Sequence, residues 1–152
     1  MKILISSCLL GEKVRWNGAQ KLNSDLISWC KENDIELIPV CPEDELFGTP
    51  RAPISLVQIE DKIESFMGAK KVTNELKEKS IEIFDRNPNV VGFIGMFGSP
   101  SCGISIGVKK AGKFSKGMMH KVSKVPTDDS RQMKNPNRRD IFLERVKKYE
   151  RR

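Results

Sequence analysis

Three of the four cysteines in this 152-residue chain follow segments that are typical of buried strands. Cys8 follows KILISS, Cys41 follows ELIPV, and Cys102 lies in the loop after VVGFIGM. In an open parallel sheet the carboxyl ends of the strands share one edge, and ligands bind at that edge. Three thiolates that meet there are soft ligands, which suit an iron–sulfur cluster or zinc. The sequence therefore predicts a metal centre held by Cys8, Cys41 and Cys102.

The number of ligands bears on the kind of metal centre. A structural zinc site normally has four protein ligands, whereas a catalytic site keeps one position open. A cubane cluster held by three cysteines likewise leaves one iron free to bind substrate. The spacing is not a compact CxxC motif, so two alternatives stay open: small thiols that pack at strand ends, and a reactive thiol of a redox protein. Cys30 lies four residues after Leu26 on the apolar face of a predicted helix, so we expect it in the core.

Polar residues accompany the predicted ligands. Glu43 follows Cys41 by two residues, and the segment Ser99-Pro100-Ser101-Cys102-Gly103 places two hydroxyls and a flexible glycine beside Cys102. A carboxylate next to a metal centre can act as a general base, and loop N–H groups can donate to sulfide. The alternative for Glu43 is an exposed loop carboxylate, and for the serines it is a turn or cap.

The elements that must position these residues alternate between strand and helix. Apolar strands of this kind predict an α/β fold, a Rossmann-like three-layer sandwich with a mostly parallel sheet. Besides the three strands above, we predict a helix over 22–31, a strand over 54–59, a helix from Thr73 to about 85 and a basic helix over 139–151. Residues 42–53 are predicted as a loop. Residues 109–137 are not assigned to an element. No GxGxxG motif follows the first strand, so we predict no nicotinamide cofactor.

Composition narrows the class of protein. No apolar run approaches the roughly 20 residues needed to span a bilayer, and the first residues lack the features of a signal peptide. We therefore expect a cytoplasmic protein with reduced thiols and no membrane partner.

The net charge is +7, and Lys and Arg concentrate after Gly107. This basic region suits either phosphate contact or a solubilising surface. His120 lies in a polar stretch, and we expect it at the surface.

Four motifs resemble the thiouracil and thiouridine desulfidase family, and they occur in the family's order over about the first 105 residues. They are Ser7-Cys8-Leu9-Leu10-Gly11, Cys41-Pro42-Glu43, Thr49-Pro50-Arg51 and Ser99-Pro100-Ser101-Cys102-Gly103. The resemblance implies a [4Fe-4S] cluster on Cys8, Cys41 and Cys102, and hydrolytic removal of sulfur from a thiolated uracil, free or in transfer RNA. It also implies that Glu43 activates water and that Ser101, or else Ser99, hydrogen-bonds the substrate or relays a proton.

Two positions depart from the family pattern: Asn17 stands where the family commonly has Asp, and Ser55 stands where it usually has Glu. Both changes bear on the substrate more than on the cluster, and Asn17 and Trp16 are predicted to contact it. Stacking of Trp16 on a base would contribute roughly 1–3 kcal/mol; packing at the rim is the alternative.

The C-terminal segment suggests a second unit. We predict a desulfidase-like domain over residues 1–125 and a basic extension with a helix over 126–152. The extension resembles the linker to a helical partner domain of longer relatives, which is associated with transfer RNA, so it is a candidate RNA contact. The rival function is a metal- or cluster-containing nucleic-acid-binding module without catalysis.

Overall fold

The computed structural model describes residues 1–152, and its first sheet contains the strands that the cysteines follow. This sheet is wholly parallel and consists of β1 (Lys2–Ser6), β2 (Glu36–Val40), β6 (Val90–Gly95) and β9 (Thr127–Asp129). The strand order is β2-β1-β6-β9. All six residues of β6 are buried, which explains its uninterrupted apolar sequence. The edge position of β2 accommodates Pro39, as expected for a residue without an N–H donor.

Helices cover both faces of the parallel sheet, and this confirms the predicted three-layer sandwich. On one face, Ile3 and Ile5 pack in a cluster with α1 (Ser24–Glu32) and α5 (Pro136–Glu150). On the opposite face, Leu4 packs in a cluster with α3 (Thr73–Asp85) and α4 (Met118–Val122). The alternation of side chains along β1 therefore supplies both cores.

Residues 42–53 were predicted as a loop, and this prediction is wrong for its first half, which forms α2 (Pro42–Phe47). Cys41 is the N-cap, and its Sγ accepts a hydrogen bond from the backbone N–H of Asp44. Proline is well suited to the first helical position, and acidic residues stabilise the first turn through the helix dipole. The predicted ligand Cys41 is thus fixed by the helix that follows it.

A second sheet, mainly antiparallel, was not predicted. It consists of β3 (Ile54–Ile59), β4 (Lys62–Met67), β5 (Lys70–Lys71), β7 (Ile106–Lys109) and β8 (Lys113–Ser115), in the order β5-β4-β3-β7-β8. Only the pairing of β3 with β7 is parallel. Its inner face buries apolar residues such as Leu56 and Val108. The strands β5 and β8 are short and polar, so their sequences carry no alternation that would identify them.

Residues 126–152 share a core with the preceding residues. The strand β9 pairs with β6, and Phe142 and Val146 of α5 are fully buried beside Gly92. The boundary at residue 125 stays a prediction, but the predicted extension contributes a strand and a helix to the first sheet. None of the helices combines the length and apolar character that a membrane crossing requires.

Candidate metal centre and active site

The ends of β1, β2 and β6 border a cavity of about 220 Å³, and the predicted ligands line it. Cys8 lies in the short helix Ser7–Leu10 directly after β1, Cys41 directly after β2, and Cys102 in the loop after β6. Cys8 and Cys102 are buried and Cys41 is half-buried. The structure therefore brings three residues that are far apart in sequence to one cavity at the carboxyl edge of the parallel sheet, as such sheets favour.

Burial dominates the electrostatics of the three thiols. It raises the pKa of Cys8 to about 11, with a further upward contribution from a negative charge on Cys41. Burial also raises the pKa of Cys41 and that of Cys102, and the latter is raised again by charge on Cys41 and Cys8. A negative charge on Cys41 thus opposes ionisation of both other thiols, as expected for cysteines that line one cavity. Without a metal the protonated thiols are favoured, so metal binding must release protons.

The arrangement of donors is relevant to the kind of metal group. No three His, Cys, Asp or Glu side chains lie close enough together to hold one metal ion. A single zinc ion needs its sulfur ligands at about 2.3 Å from one point. The thiolates of a cubane bind different irons, so they surround a larger volume. The three cysteines lie around one cavity, and their soft thiolates are donors that fit an iron–sulfur cluster.

A buried ion pair faces the same cavity. Arg51 Nε lies 3.4 Å from Glu43 Oε1, and the two side chains are only 5% and 9% exposed. Arg51 also donates to the carbonyls of Val14 (2.8 Å) and Gly48 (3.0 Å) and to the hydroxyl of Thr49 (2.9 Å). Its guanidinium is therefore fixed, and it holds the Glu43 carboxylate in one position beside the cysteines. The motif Thr49-Pro50-Arg51 is visible in the sequence, but the contact between Arg51 and Glu43 is not.

Backbone contacts hold the loop that carries Cys102. The Cys102 N–H donates to Ser99 Oγ (3.1 Å), and the Gly103 N–H donates to the Ser99 carbonyl (2.7 Å). From α4, which packs against this loop, the Met119 N–H donates to the Ser101 carbonyl (3.0 Å). A Cβ on Gly95 would lie 1.7 Å from the Cys102 carbonyl oxygen, so only glycine lets the loop approach β6. The position of Cys102 is thus set by main-chain packing.

His120 was predicted at the surface, and this is wrong: it lies in α4 and is 7% exposed. Its Nε2 lies 2.6 Å from the carbonyl oxygen of Cys102. Because a carbonyl only accepts hydrogen bonds, Nε2 carries the proton and Nδ1, which has no partner, does not. Burial lowers the pKa of His120. The polar residues around it in sequence concealed a short helix whose one buried turn packs on the cysteine loop.

The remaining predicted site residues divide into two groups. Ser99 and Trp16 line the cavity, and Trp16 is 44% exposed at its rim. Ser101 is fully buried, does not line the cavity, and its Oγ has no partner. Asn17 is exposed and also lies outside the lining; its Oδ1 accepts a hydrogen bond from the Ala19 N–H (3.0 Å). The cavity therefore gathers Glu43, Ser99 and Trp16 with the cysteines.

Two further residues of the cavity wall, Met96 and Arg15, were not predicted from the sequence. Met96 follows β6, and its Sδ lies 3.2 Å from Cys8 Sγ. Arg15 lines the cavity, and its charge opposes the upward shift of the pKa of Cys8. The apolar run that contains Met96 concealed its proximity to the site, because nothing in that run distinguishes a wall residue from a core residue.

Comparison with known proteins identifies the family of this chain. The model of the 2-thiouracil desulfurase family matches residues 3–130. The chain belongs to this family. No curated protein matches it significantly.

A solved structure supports the fold of this family member. It is described as the [4Fe-4S]-dependent thiouracil desulfidase TudS, and it superposes with a TM-score of 0.69, at 23% identity, over 88% of this chain and 93% of its own. At this identity the likeness shows a common fold. The matched share is large in both chains.

Proposed function

We propose that this protein is a [4Fe-4S]-dependent desulfidase that removes the sulfur of a thiolated uracil by hydrolysis, with Cys8, Cys41 and Cys102 as the cluster ligands. The observation that carries the proposal is the convergence of these three thiols on one cavity that Glu43 also lines. Membership of the 2-thiouracil desulfurase family supports the substrate class. The description of the structural neighbour as [4Fe-4S]-dependent supports the cofactor.

When bound, a cluster with three protein ligands supplies an open iron as a Lewis acid for the thiocarbonyl sulfur. Side chains of the protein supply the rest of the chemistry. Hydrolysis consumes one water and yields the oxo base and hydrosulfide. A base must therefore take a proton from the attacking water, and a carboxylate held at the cavity wall is suited to that task.

Glu43 is the general base in this proposal. Its Oε1 accepts the hydrogen bond from Arg51, while its Oε2 accepts none from the protein. One carboxylate oxygen is thus oriented by the guanidinium, and the other is free to take the proton of a water. Arg51 is a positioning residue, because its contacts with Val14, Gly48 and Thr49 fix it independently of any substrate.

The substrate contacts follow from the lining. Trp16 offers a partly exposed ring at the rim, on which a planar pyrimidine can stack. Ser99 lines the cavity, so we assign the substrate hydrogen bond to its hydroxyl and place Ser101 in support of the loop. Asn17 stabilises the turn next to Trp16 through the Ala19 N–H. Its role in recognition is then indirect.

The test combines metal content with turnover. Anaerobic reconstitution of the wild type should give about four irons per chain with matching sulfide, whereas Cys102→Ser should take up less. Cys30→Ala is the matched control, because Cys30 lies in the core outside the cavity, and its iron content should equal that of the wild type. If Cys102→Ser takes up as much iron as the wild type, the assignment of Cys102 as a ligand is overturned.

Glu43→Gln separates catalysis from binding. It should retain iron and reduce the turnover of 4-thiouracil by about 10²–10⁴, the usual contribution of a general base. Turnover that stays within threefold of the wild type would remove Glu43 from this role. Nucleic-acid binding by an iron-loaded protein that has no turnover would favour the rival function, a binding module.

A further inference from the structure

A second depression lies on the outer face of the antiparallel sheet and shares a wall residue with the catalytic cavity. It encloses about 460 Å³ over β3, and its wall includes Pro53, Ser55, Val57, Phe66, Lys109 and Lys110. Pro53 lines both this groove and the cysteine cavity. The two depressions are therefore neighbours on the protein, with Pro53 in the wall of each.

The register of the strands puts aromatic residues on this outer face. Phe66 pairs with Ser55, and Phe114 pairs with Gly107, while the inner face takes Leu56 and Val108. Between the two phenylalanines the floor of the sheet is formed by small residues. Phe114 is 72% exposed, which is costly for an aromatic side chain in water unless it meets a partner. Exposed aromatic residues on a sheet are platforms on which nucleic-acid bases stack.

Charge on the same face is mainly positive. Lys109 pairs with Val57 and Lys71 pairs with Phe66, so both lie beside the aromatic residues, and Lys110 borders the groove. No carboxylate lines the groove. The acidic residue nearest in register, Glu64, is engaged by the hydroxyl of Thr73. Lysines beside exposed aromatic rings complement the phosphates and bases of a single strand better than an apolar ligand.

We propose that this groove, together with the strip of the same sheet face that ends at Phe114, binds the single-stranded segment that flanks the thiolated base when that base is presented within RNA. The inference rests on the proposed function for the identity of the base, and it deepens that function by naming the surface that holds the rest of the substrate. It assigns RNA contact to the antiparallel sheet in place of the C-terminal helix.

Binding of an unmodified, fluorescein-labelled oligouridylate tests the groove without turnover. Anisotropy should show binding at 50 mM salt that weakens steeply as salt rises. Lys109→Ala with Lys110→Ala should weaken binding at least tenfold and reduce the slope of log Kd against log salt by about 1.4, since each lost phosphate contact on a single strand is worth about 0.7. Phe114→Ala should weaken binding at least fivefold, the lower limit for loss of one stacked base.

The matched control is Lys147→Ala with Lys148→Ala, which removes the same charge from the C-terminal helix. It should change Kd less than twofold. The proposal is overturned if the wild type does not bind, if the control weakens binding as much as the groove variant does, or if polyglutamate displaces oligouridylate with equal potency. The last outcome would indicate an acidic protein as the partner. Because no step requires iron or turnover, failure here is distinct from failure of the desulfidase proposal.

Discussion

Two walls of the catalytic cavity hold their cysteines by different means. The charged wall consists of Cys41, Glu43 and Arg51, and a buried ion pair with its side-chain hydrogen bonds maintains it. The loop wall consists of residues 98–103, and main-chain hydrogen bonds and glycine contacts maintain it. A side-chain truncation should therefore disrupt the first wall, whereas a single added Cβ should disrupt the second.

The largest effect is expected from Gly95→Ala, at the end of β6 where that strand contacts the loop wall. The new Cβ would lie 1.7 Å from the Cys102 carbonyl oxygen and 2.7 Å from its carbonyl carbon, so the backbone of the loop must move. We expect a loss of more than about 4 kcal/mol in the free energy of unfolding, the range reserved for severe disruptions. Urea denaturation measures it. Gly107→Ala is the control, because nothing lies within 4 Å of its added Cβ; equal losses in the two variants would contradict the close-packing argument.

Arg51→Ala tests the charged wall and should have the next largest effect. Removing the guanidinium leaves the Glu43 carboxylate buried without a partner and frees the carbonyls of Val14 and Gly48. Breaking a buried pair in this way costs about 3–5 kcal/mol. Urea unfolding at pH 7 should therefore show a large decrease in stability.

The control for Arg51→Ala is Lys79→Ala, which breaks the more exposed pair with Glu82. Exposed pairs contribute about 0.2–1 kcal/mol, so its loss should be small. Similar losses in both variants would mean that the ion pair at the cavity does not maintain the charged wall, and the comparison between the walls would fail.

The walls also differ in how much of them the sequence predicts. Three strands of the first sheet, β1, β2 and β6, are largely apolar, so the alternation of strand and helix predicted the edge at which Cys8, Cys41 and Cys102 meet. The pairing of Arg51 with Glu43 is a side-chain contact, and spacing along the chain does not determine it. The contact of His120 with Cys102 depends on a five-residue helix in a polar stretch. Such a segment carries too few apolar positions to show a helical period.

The antiparallel sheet was missed for a related physical reason. Its strand β5 consists of two lysines, and β8 consists of Lys113, Phe114 and Ser115, so both are too short to show an alternation. Their strand conformation is set by pairing with β4 and β7, which is a tertiary effect that local propensity does not contain. Ser55 was noted as a departure from the family pattern, but only the fold shows that it lies in the floor of the groove.

His120→Leu should have a smaller effect than either wall variant. It removes the donor to the Cys102 carbonyl, and an unsatisfied buried acceptor costs about 1–3 kcal/mol. His120→Gln is the matched variant, because the Gln amide nitrogen occupies nearly the same place as the imidazole Nε2. We expect Gln to restore most of the stability and to return Cys102 of the metal-free protein to the wild-type alkylation rate. Equal alkylation rates in the wild type and His120→Leu would show that His120 does not position the loop wall.

The smallest effect is the loss of stability at alkaline pH that Cys30 causes. Cys30 belongs to neither wall. Burial raises the pKa of Cys30 from 9.0 to about 12, opposed by the charge of Arg139. The folded state therefore holds its proton above pH 9 while the unfolded state releases it, and stability falls as pH rises from about 9 towards 12. The contribution lost by pH 10 is about 1.4 kcal/mol.

Cys30→Val removes this titration, so the difference in unfolding free energy between pH 8.5 and pH 10 should be smaller in the variant by about that amount. The comparison of differences cancels the change in packing, which is the same at both pH values. Any alkaline loss that remains in Cys30→Val includes the contribution of the cavity thiols, since burial raises the pKa of Cys8 to about 11 and also that of Cys102. If the decrease in unfolding free energy between pH 8.5 and pH 10 is the same in Cys30→Val and the wild type, the Cys30 thiol is not protected from ionisation. If the decrease that remains in Cys30→Val disappears when Cys8→Ala is added, it comes from the cavity thiols.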